Sequence, residues 1–108
     1  MKKISVIILN WNGAQKGFLQ QYLPSVIENT PTEWADVVVA DNGSTDHSLE
    51  LLKEQFPSVK VIALEHNFGY AEGNNRAVNA VETPYVLLLN DDVRVTPHWL
   101  EPMVDYLD

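Results

Sequence analysis

Four apolar runs punctuate the chain, at residues 4–9, 37–40, 59–64 and 85–89. The first, second and fourth are nearly continuous in Val, Ile, Leu and Ala, the composition of strands buried on both faces. Between the runs, apolar positions recur at helical spacing. Phe18, Tyr22 and Val26 lie four apart, and Leu19, Leu23 and Ile27 repeat the interval one position on, which predicts a helix. Pro24 interrupts it, and a residue without an N–H should kink or restart the helix. Leu49, Leu52 and Phe56 predict a second helix, with Ser44, Thr45 or Asp46 available as its N-cap. Ala71, Ala77, Val78 and Val81 predict a third that closes before Thr83 and Pro84. Pro97 suits the first turn of a last helical piece reaching residue 107. Strand and helix alternate, so the expected class is α/β, with a mostly parallel sheet and helices on both faces. No linker, repeat or low-complexity stretch divides residues 1–108, which read as one domain.

Composition narrows the partners. At 108 residues the chain supports one modest core. The net charge is −8 with only seven Lys and Arg, which argues against nucleic acid as a partner. An anionic ligand would need a cation to bridge it to such a protein. Cysteine is absent, which removes disulfide scaffolds, thiolate metal sites and Cys nucleophiles and is compatible with a cytoplasmic location. Met1, Lys2 and Lys3 ahead of residues 4–9 resemble the start of a signal peptide, but the apolar run is too short. Asn10, Trp11, Asn12 and Gly13 follow it where small cleavage-site residues would stand. No segment approaches the roughly 20 apolar residues needed to span a bilayer.

Each expected strand is followed at once by a polar cluster. Asn10, Asn12 and Gly13 follow the first, and Asp41 to Asp46 (Asp-Asn-Gly-Ser-Thr-Asp) the second. His66, Asn67, Phe68 and Gly69 follow the third, and Asn90, Asp91 and Asp92 the fourth. In open parallel sheets ligands bind beyond the carboxyl ends of the strands, so four clusters at that edge converge on one site. No Gly-x-Gly-x-x-Gly follows the first strand and no Walker lysine loop exists. His47, His66 and His98 lack metal-ligand spacing, so zinc is not expected.

These motifs carry a resemblance. Asn10-Trp11-Asn12-Gly13, the cluster from Asp41 to Asp46, Asn67-Phe68-Gly69-Tyr70-Ala71-Glu72-Gly73-Asn74-Asn75 and Leu89-Asn90-Asp91-Asp92 resemble, in order and spacing, the motifs of family 2 glycosyltransferases. Its rhamnosyltransferase-like branch is the most similar. The resemblance implies a Rossmann-like GT-A fold and transfer of a sugar, with inversion, from a nucleotide-diphosphate donor to a glycan or lipid-linked acceptor. The implied setting is cell-surface polysaccharide synthesis by a cytoplasmic protein, peripheral at the inner face of the membrane.

The resemblance also implies roles. Asp41 matches the aspartate that hydrogen-bonds the nucleotide base, while Asn10 and Asn12 match the segment lining base and ribose. Asn42 opens the turn that follows. Gly69 and Asn75 match positions framing the donor pocket, with Gly69 permitting close backbone approach. Asn90, Asp91 and Asp92 correspond to the Asp-x-Asp motif, Asn90 replacing the first acid. Consecutive residues of an extended chain point to opposite faces, so Asp91 and Asp92 should not both ligate one ion. Asp92 is assigned to Mg²⁺ or Mn²⁺, and Asn90 or Asp91 to the ribose.

Plainer readings stand beside these. An acid pair at a strand end is otherwise an exposed turn, and Asp41 alone would be a turn former or helix cap. Asp46 reads as a cap for the second helix more than a ligand contact. Asn67 and Gly69 divide evenly between loop and ligand. Trp11 reads as packing before base stacking, Glu72 and His66 as solvated, and Trp34, Trp99 and Tyr106 as packing or interface residues. The general base of an inverting transfer is expected beyond Asp108, so no catalytic residue is assigned. The chain reads as an N-terminal half or truncated form that keeps the donor- and metal-binding part and lacks the acceptor-binding half. An edge exposed that way should drive self-association, involving Trp99, Leu100, Met103 and Leu107. A non-catalytic nucleotide-sugar-binding or assembly module is the alternative function. A nucleotidyltransferase ranks last for want of a basic, Gly-rich loop after the first strand.

Overall fold

The strands are β1 (Ile4–Asn10), β2 (Ala35–Asp41), β3 (Lys60–Ala63) and β4 (Tyr85–Leu89). The helices are α1 (Gly13–Lys16), α2 (Phe18–Asn29), α3 (Ser48–Gln55) and α4 (Tyr70–Ala80). In this computed structural model, which describes residues 3–103, all pairings are parallel and the strand order is β3-β2-β1-β4. β1 is central. It pairs from Ile4 with Ala35 to Asn10 with Asp41 on one side, and from Ile4 with Tyr85 to Ile8 with Leu89 on the other.

Central placement explains the unbroken apolar run of β1, because successive side chains serve opposite faces. Val6 and Ile8 join Leu19, Leu23 and Val26 of α2 and Leu51 and Leu52 of α3 in the larger core. Ile7 faces the other way, into a smaller core with Val38, Ala40 and Ala77 of α4. Helices therefore cover both faces. From β1 the chain steps outward to β2 and β3, and then returns to the other flank of β1 for β4. The reversal falls between β1 and β4. A crevice opens at such a switch point, where the loops leaving two neighbouring strands diverge.

Several local expectations change. α1 was invisible to periodicity because four residues make a single turn. Asn12, at φ 54° and ψ 35°, begins it, and the left-handed Gly17 (φ 80°) ends it and starts α2. α2 runs without a break from Phe18 to Asn29 with Pro24 inside it, so the expected restart does not occur. Pro24 is exposed, while buried Leu19, Leu23 and Val26 tie both halves of the helix to one core.

On α3 the buried positions are Ser48, Leu51 and Leu52, and Leu49 is exposed. Ala71 likewise faces out of α4, which buries Gly73, Asn74 and Ala77. β3 is shorter than the apolar run and largely exposed, as an edge strand is. Pro97 lies in a turn, and helical residues begin only at Glu101; residues 104–108, including Tyr106 and Leu107, lie outside the described part. The segment before them folds back on the larger core. Leu100 is 0% exposed, Trp99 Nε1 donates to Thr30 Oγ1 at 3.3 Å, and the Val95 amide donates to Ser25 Oγ at 3.1 Å. Leu100 and Trp99 are thus part of this domain's packing, and the expected association surface cannot use Leu100.

Candidate functional site

The polar clusters meet beyond the carboxyl ends of the strands and surround a cleft of about 270 Å³. Leu9 and Leu89, at the ends of β1 and β4, form its floor. Its walls carry Trp11, Lys16, Asn42, Asn67, Gly69, Tyr70, Asn74, Asn90 and Asp91. A larger groove of about 500 Å³ lies at the opposite end of the sheet, beside Ser5, Asp36, Lys60 and Thr83. None of the post-strand clusters reaches it, so the smaller cleft is the site of interest.

Asparagine side chains tie the loops around the cleft. Asn10, 0% exposed, donates from Nδ2 to Asp41 Oδ1 at 2.9 Å and to Ser44 Oγ at 3.3 Å. Asp41, 1% exposed, also accepts from Ser44 Oγ at 2.6 Å and from the Ser44 amide at 3.0 Å. Asn12 Oδ1 accepts from the Thr45 and Asp46 amides at 2.7 and 3.2 Å, and its own amide donates to Ser44 Oγ at 2.9 Å. Asn42 links the β2–α3 loop to the β3–α4 loop. Its Nδ2 donates to Asn67 Oδ1 at 3.0 Å and to the Gly69 carbonyl at 3.1 Å, and its Oδ1 accepts from the Phe68 amide at 3.0 Å. Across the cleft, the Tyr70 hydroxyl donates to Asn90 Oδ1 at 3.4 Å.

Two glycines let these loops close. A Cβ at residue 43 would collide with the backbone of His66 and Asn67, and Gly43 also has φ 72°. A Cβ at residue 13 would strike Asn10 Oδ1, the buried oxygen that has no partner among the described residues. Gly69 differs. Nothing lies within 4 Å of its would-be side chain, and its φ of 85° with ψ of 173° is backbone that only glycine adopts without strain. Conformation, not a close protein neighbour, requires glycine there.

The acid pair sits at the mouth. Asp91 is half-buried and lines the cleft; Asp92 is exposed and lies outside the lining. Both are in a turn rather than an extended strand, so strict alternation does not govern their directions. Burial raises the Asp91 pKa above the ordinary carboxylate value, the neighbouring Asp92 charge raises it further, and Lys16 and the residue's own amide partly offset this. A cation would relieve the repulsion between the two acids. Among the described residues no three His, Asp or Glu side chains converge as a ready metal cage. Oxygen donors from Asp91, Asp92 and Asn90 still fit Mg²⁺ or Mn²⁺, which often take one or two carboxylates and complete their shell with phosphate oxygens and water.

Of the residues singled out in the sequence, Asn42, Gly69, Asn90 and Asp91 line the cleft. Asn10, Asn12 and Asp41 stand behind it, their side chains engaged in loop bonds. Asn75 is exposed on α4, and Asn74 beside it is buried, donates to the Tyr70 carbonyl at 3.1 Å and lines the cleft. Asp46 accepts from the Ser48 amide at 2.9 Å and from the Gln15 amide at 2.9 Å in α1, but the N-cap of α3 is His47, so the expected caps Ser44, Thr45 and Asp46 all lie before it. Glu72 pairs with Arg76, and the His66 ring lies 3.9 Å from that of Phe68. Lys16 lines the cleft without any motif to mark it, its only sequence signal being its place three residues after Gly13, and Tyr70 belongs to the third motif, which gives it no role of its own.

Comparison with known proteins supplies an independent line. The model of "Glycosyl transferase family 2" matches residues 5–108. An uncharacterized glycosyltransferase of Nostoc sp. is 33% identical over 106 residues, covering 95% of this chain and 32% of that protein. Teichoic acid poly(glycerol phosphate) polymerase of Staphylococcus epidermidis is 28% identical over 99 residues, covering 85% of this chain and 13% of that protein. Among solved structures, S. aureus TarS 1-349 in complex with UDP-GlcNAc superposes with a TM-score of 0.83 at 27% identity, over 98% of this chain and 31% of TarS 1-349. The chain spans well under half the length of these relatives.

Proposed function

The chain belongs to glycosyl transferase family 2 and has the GT-A fold, and we propose that it forms the donor-binding part of an inverting glycosyltransferase. The donor is a nucleotide-diphosphate sugar, and the acceptor is a glycan or lipid-linked glycan. The observation that carries this reading is the cleft at the β1–β4 switch point, where four hydrogen-bonded loops surround a space with Asp91 at its mouth. That the similar TarS is solved in complex with UDP-GlcNAc and with UDP supports a nucleotide-sugar as the ligand. Order and spacing of the motifs support a position near the rhamnosyltransferase-like branch.

In this reading Trp11, 40% exposed at the end of β1, offers a face for the base. Asp41 presents its carboxylate from behind the pocket, held by Asn10 and Ser44. Asn42, Asn67 and Asn74 supply polar groups along the wall. Asp92, with Asp91 and Asn90 beside it, would hold Mg²⁺ or Mn²⁺. When bound, that ion would neutralise charge on the leaving diphosphate. Asp91 and Asp92 are both given to the cation in this reading, so neither is assigned to deprotonate an acceptor hydroxyl. We therefore assign binding, without efficient turnover, to the isolated chain. The same lack of an assigned base favours a nucleotide-sugar-binding module as the second reading.

Titration of UDP with and without Mn²⁺ tests the donor site. The expected result is metal-enhanced binding in the unmodified chain, with the enhancement lost in Asp92→Ala. Equal affinity with and without Mn²⁺ would remove the metal assignment, and absence of UDP binding would sink the donor site. Turnover of a nucleotide-sugar by the isolated chain would overturn the binding-only assignment.

A further inference from the structure

Lys16 ends α1 and is the one cation among the described residues lining the cleft. Its ammonium lies 5.0 Å from the centroid of the Trp11 ring and 5.8 Å from that of Phe18, so two aromatic rings flank a group that would otherwise range through solvent. It lines the same cleft as Asp91. Three other basic groups are engaged elsewhere: Lys60 pairs with Asp36, Arg76 with Glu72, and Arg94 lies over the Tyr22 ring. Lys16 thus lies over the exposed aromatic face in the cleft that Asp91 also lines, in a protein of net charge −8. An anion entering this cleft meets repulsion from Asp91 and Asp92 and finds compensation from one side chain.

We propose that the Lys16 ammonium contacts the diphosphate of the bound nucleotide and gives this site a component of donor affinity that needs no divalent cation. The proposal rests on the donor-site reading and adds to it a second source of positive charge. Lys16 is placed on the phosphates rather than the base because a cation gains most from the most charged part of the ligand. It acts as a binding residue and takes no part in moving protons.

NMR titrations of UDP and of uridine test it, each in Mn²⁺ and in EDTA. The proteins compared are the unmodified chain, Lys16→Met, Lys16→Arg and Lys53→Met, the last removing an exposed charge on α3 as a control for the general field. Lys16→Met should weaken UDP about tenfold in both media and leave uridine unchanged, Lys16→Arg should retain most of the affinity, and Lys53→Met all of it. UDP affinity unchanged in Lys16→Met would overturn the proposal while leaving the donor site standing. Equal weakening of uridine would overturn it too, since the effect would then run through the Trp11 ring. A matching loss in Lys53→Met would reduce it to a general charge effect. Absence of UDP binding in the unmodified chain would sink the donor site and this proposal together.

Discussion

Asp46 joins two helix starts through one carboxylate, accepting from the Gln15 amide of α1 and the Ser48 amide of α3. Burial opposes its ionisation, but bonds from the Ser48 hydroxyl and the two amides, with His47 nearby, outweigh that and hold its pKa below the ordinary value. The folded state therefore favours the charged form. Its stabilisation is fully present above the unfolded-chain pKa, about 4, and is lost as pH falls through the lower folded value. Asp46→Asn should cost about 1 kcal/mol at neutral pH, and urea denaturation of the two proteins should converge below about pH 4. A gap that persists undiminished at pH 3 would show that charge is not the cause. At this scale the sequence identified the polar residues correctly as one cluster but could not divide their work. Asn12 and Asp41 bond the loops behind the cleft, Asn42 bonds the loops while lining it, and Asp91 lines it at the mouth; a residue's type is the same in either role. Asn74 and Asn75 make the point most sharply. One helical step of about 100° buries the first against the cleft and leaves the second in solvent.

The elements were legible where periodicity had room to repeat. β1, β2 and β4 follow their apolar runs, and α2 follows its doubled four-residue interval. α1 was missed because a single turn has no period, and it is ended by Gly17 rather than by any apolar signal. Pro24 does not restart the helix, for a physical reason. The missing N–H is a local cost, and the Leu19, Leu23 and Val26 face buried on one core is a larger tertiary gain. That cost should be recoverable. A proline inside a helix costs about 3 kcal/mol, while its stiffening of the unfolded chain returns about 1 kcal/mol. Pro24→Ala, at an exposed position, should therefore stabilise the protein by about 2 kcal/mol, read as a higher urea midpoint at unchanged slope. A destabilised variant would show that the helix is already adapted to the ring.

For the whole molecule, the strand order leaves both β3 and β4 as sheet edges. β3 is short and carries Lys60, features that blunt an edge, whereas β4 is a run of Tyr, Val and Leu with Leu88 46% exposed. An apolar edge of this kind templates pairing. With Leu100 and Trp99 packed inside, β4 is the surface through which copies should associate. Mass measured by light scattering should rise with concentration, more steeply at high salt, where the repulsion between acidic molecules is screened. Leu88→Lys should return it to a monomer, and a monomer at all concentrations before mutation would remove the surface. Among the described residues no helix is long and apolar enough to cross a membrane. The amino-acid sequence by itself determined the α/β class, the parallel sheet and the edge at which chemistry gathers, because buried strands and polar strand ends are written in local composition. It also carried the family, through motifs that recur in order. Tertiary structure alone decided that β4 lies beside β1, that Lys16 lines the same cleft as Asp91, and that Asn10, Asn12 and Asp41 bond the loops behind that cleft. Those outcomes depend on which loops lie across from one another, and residues far apart in the chain carry no local mark of being neighbours.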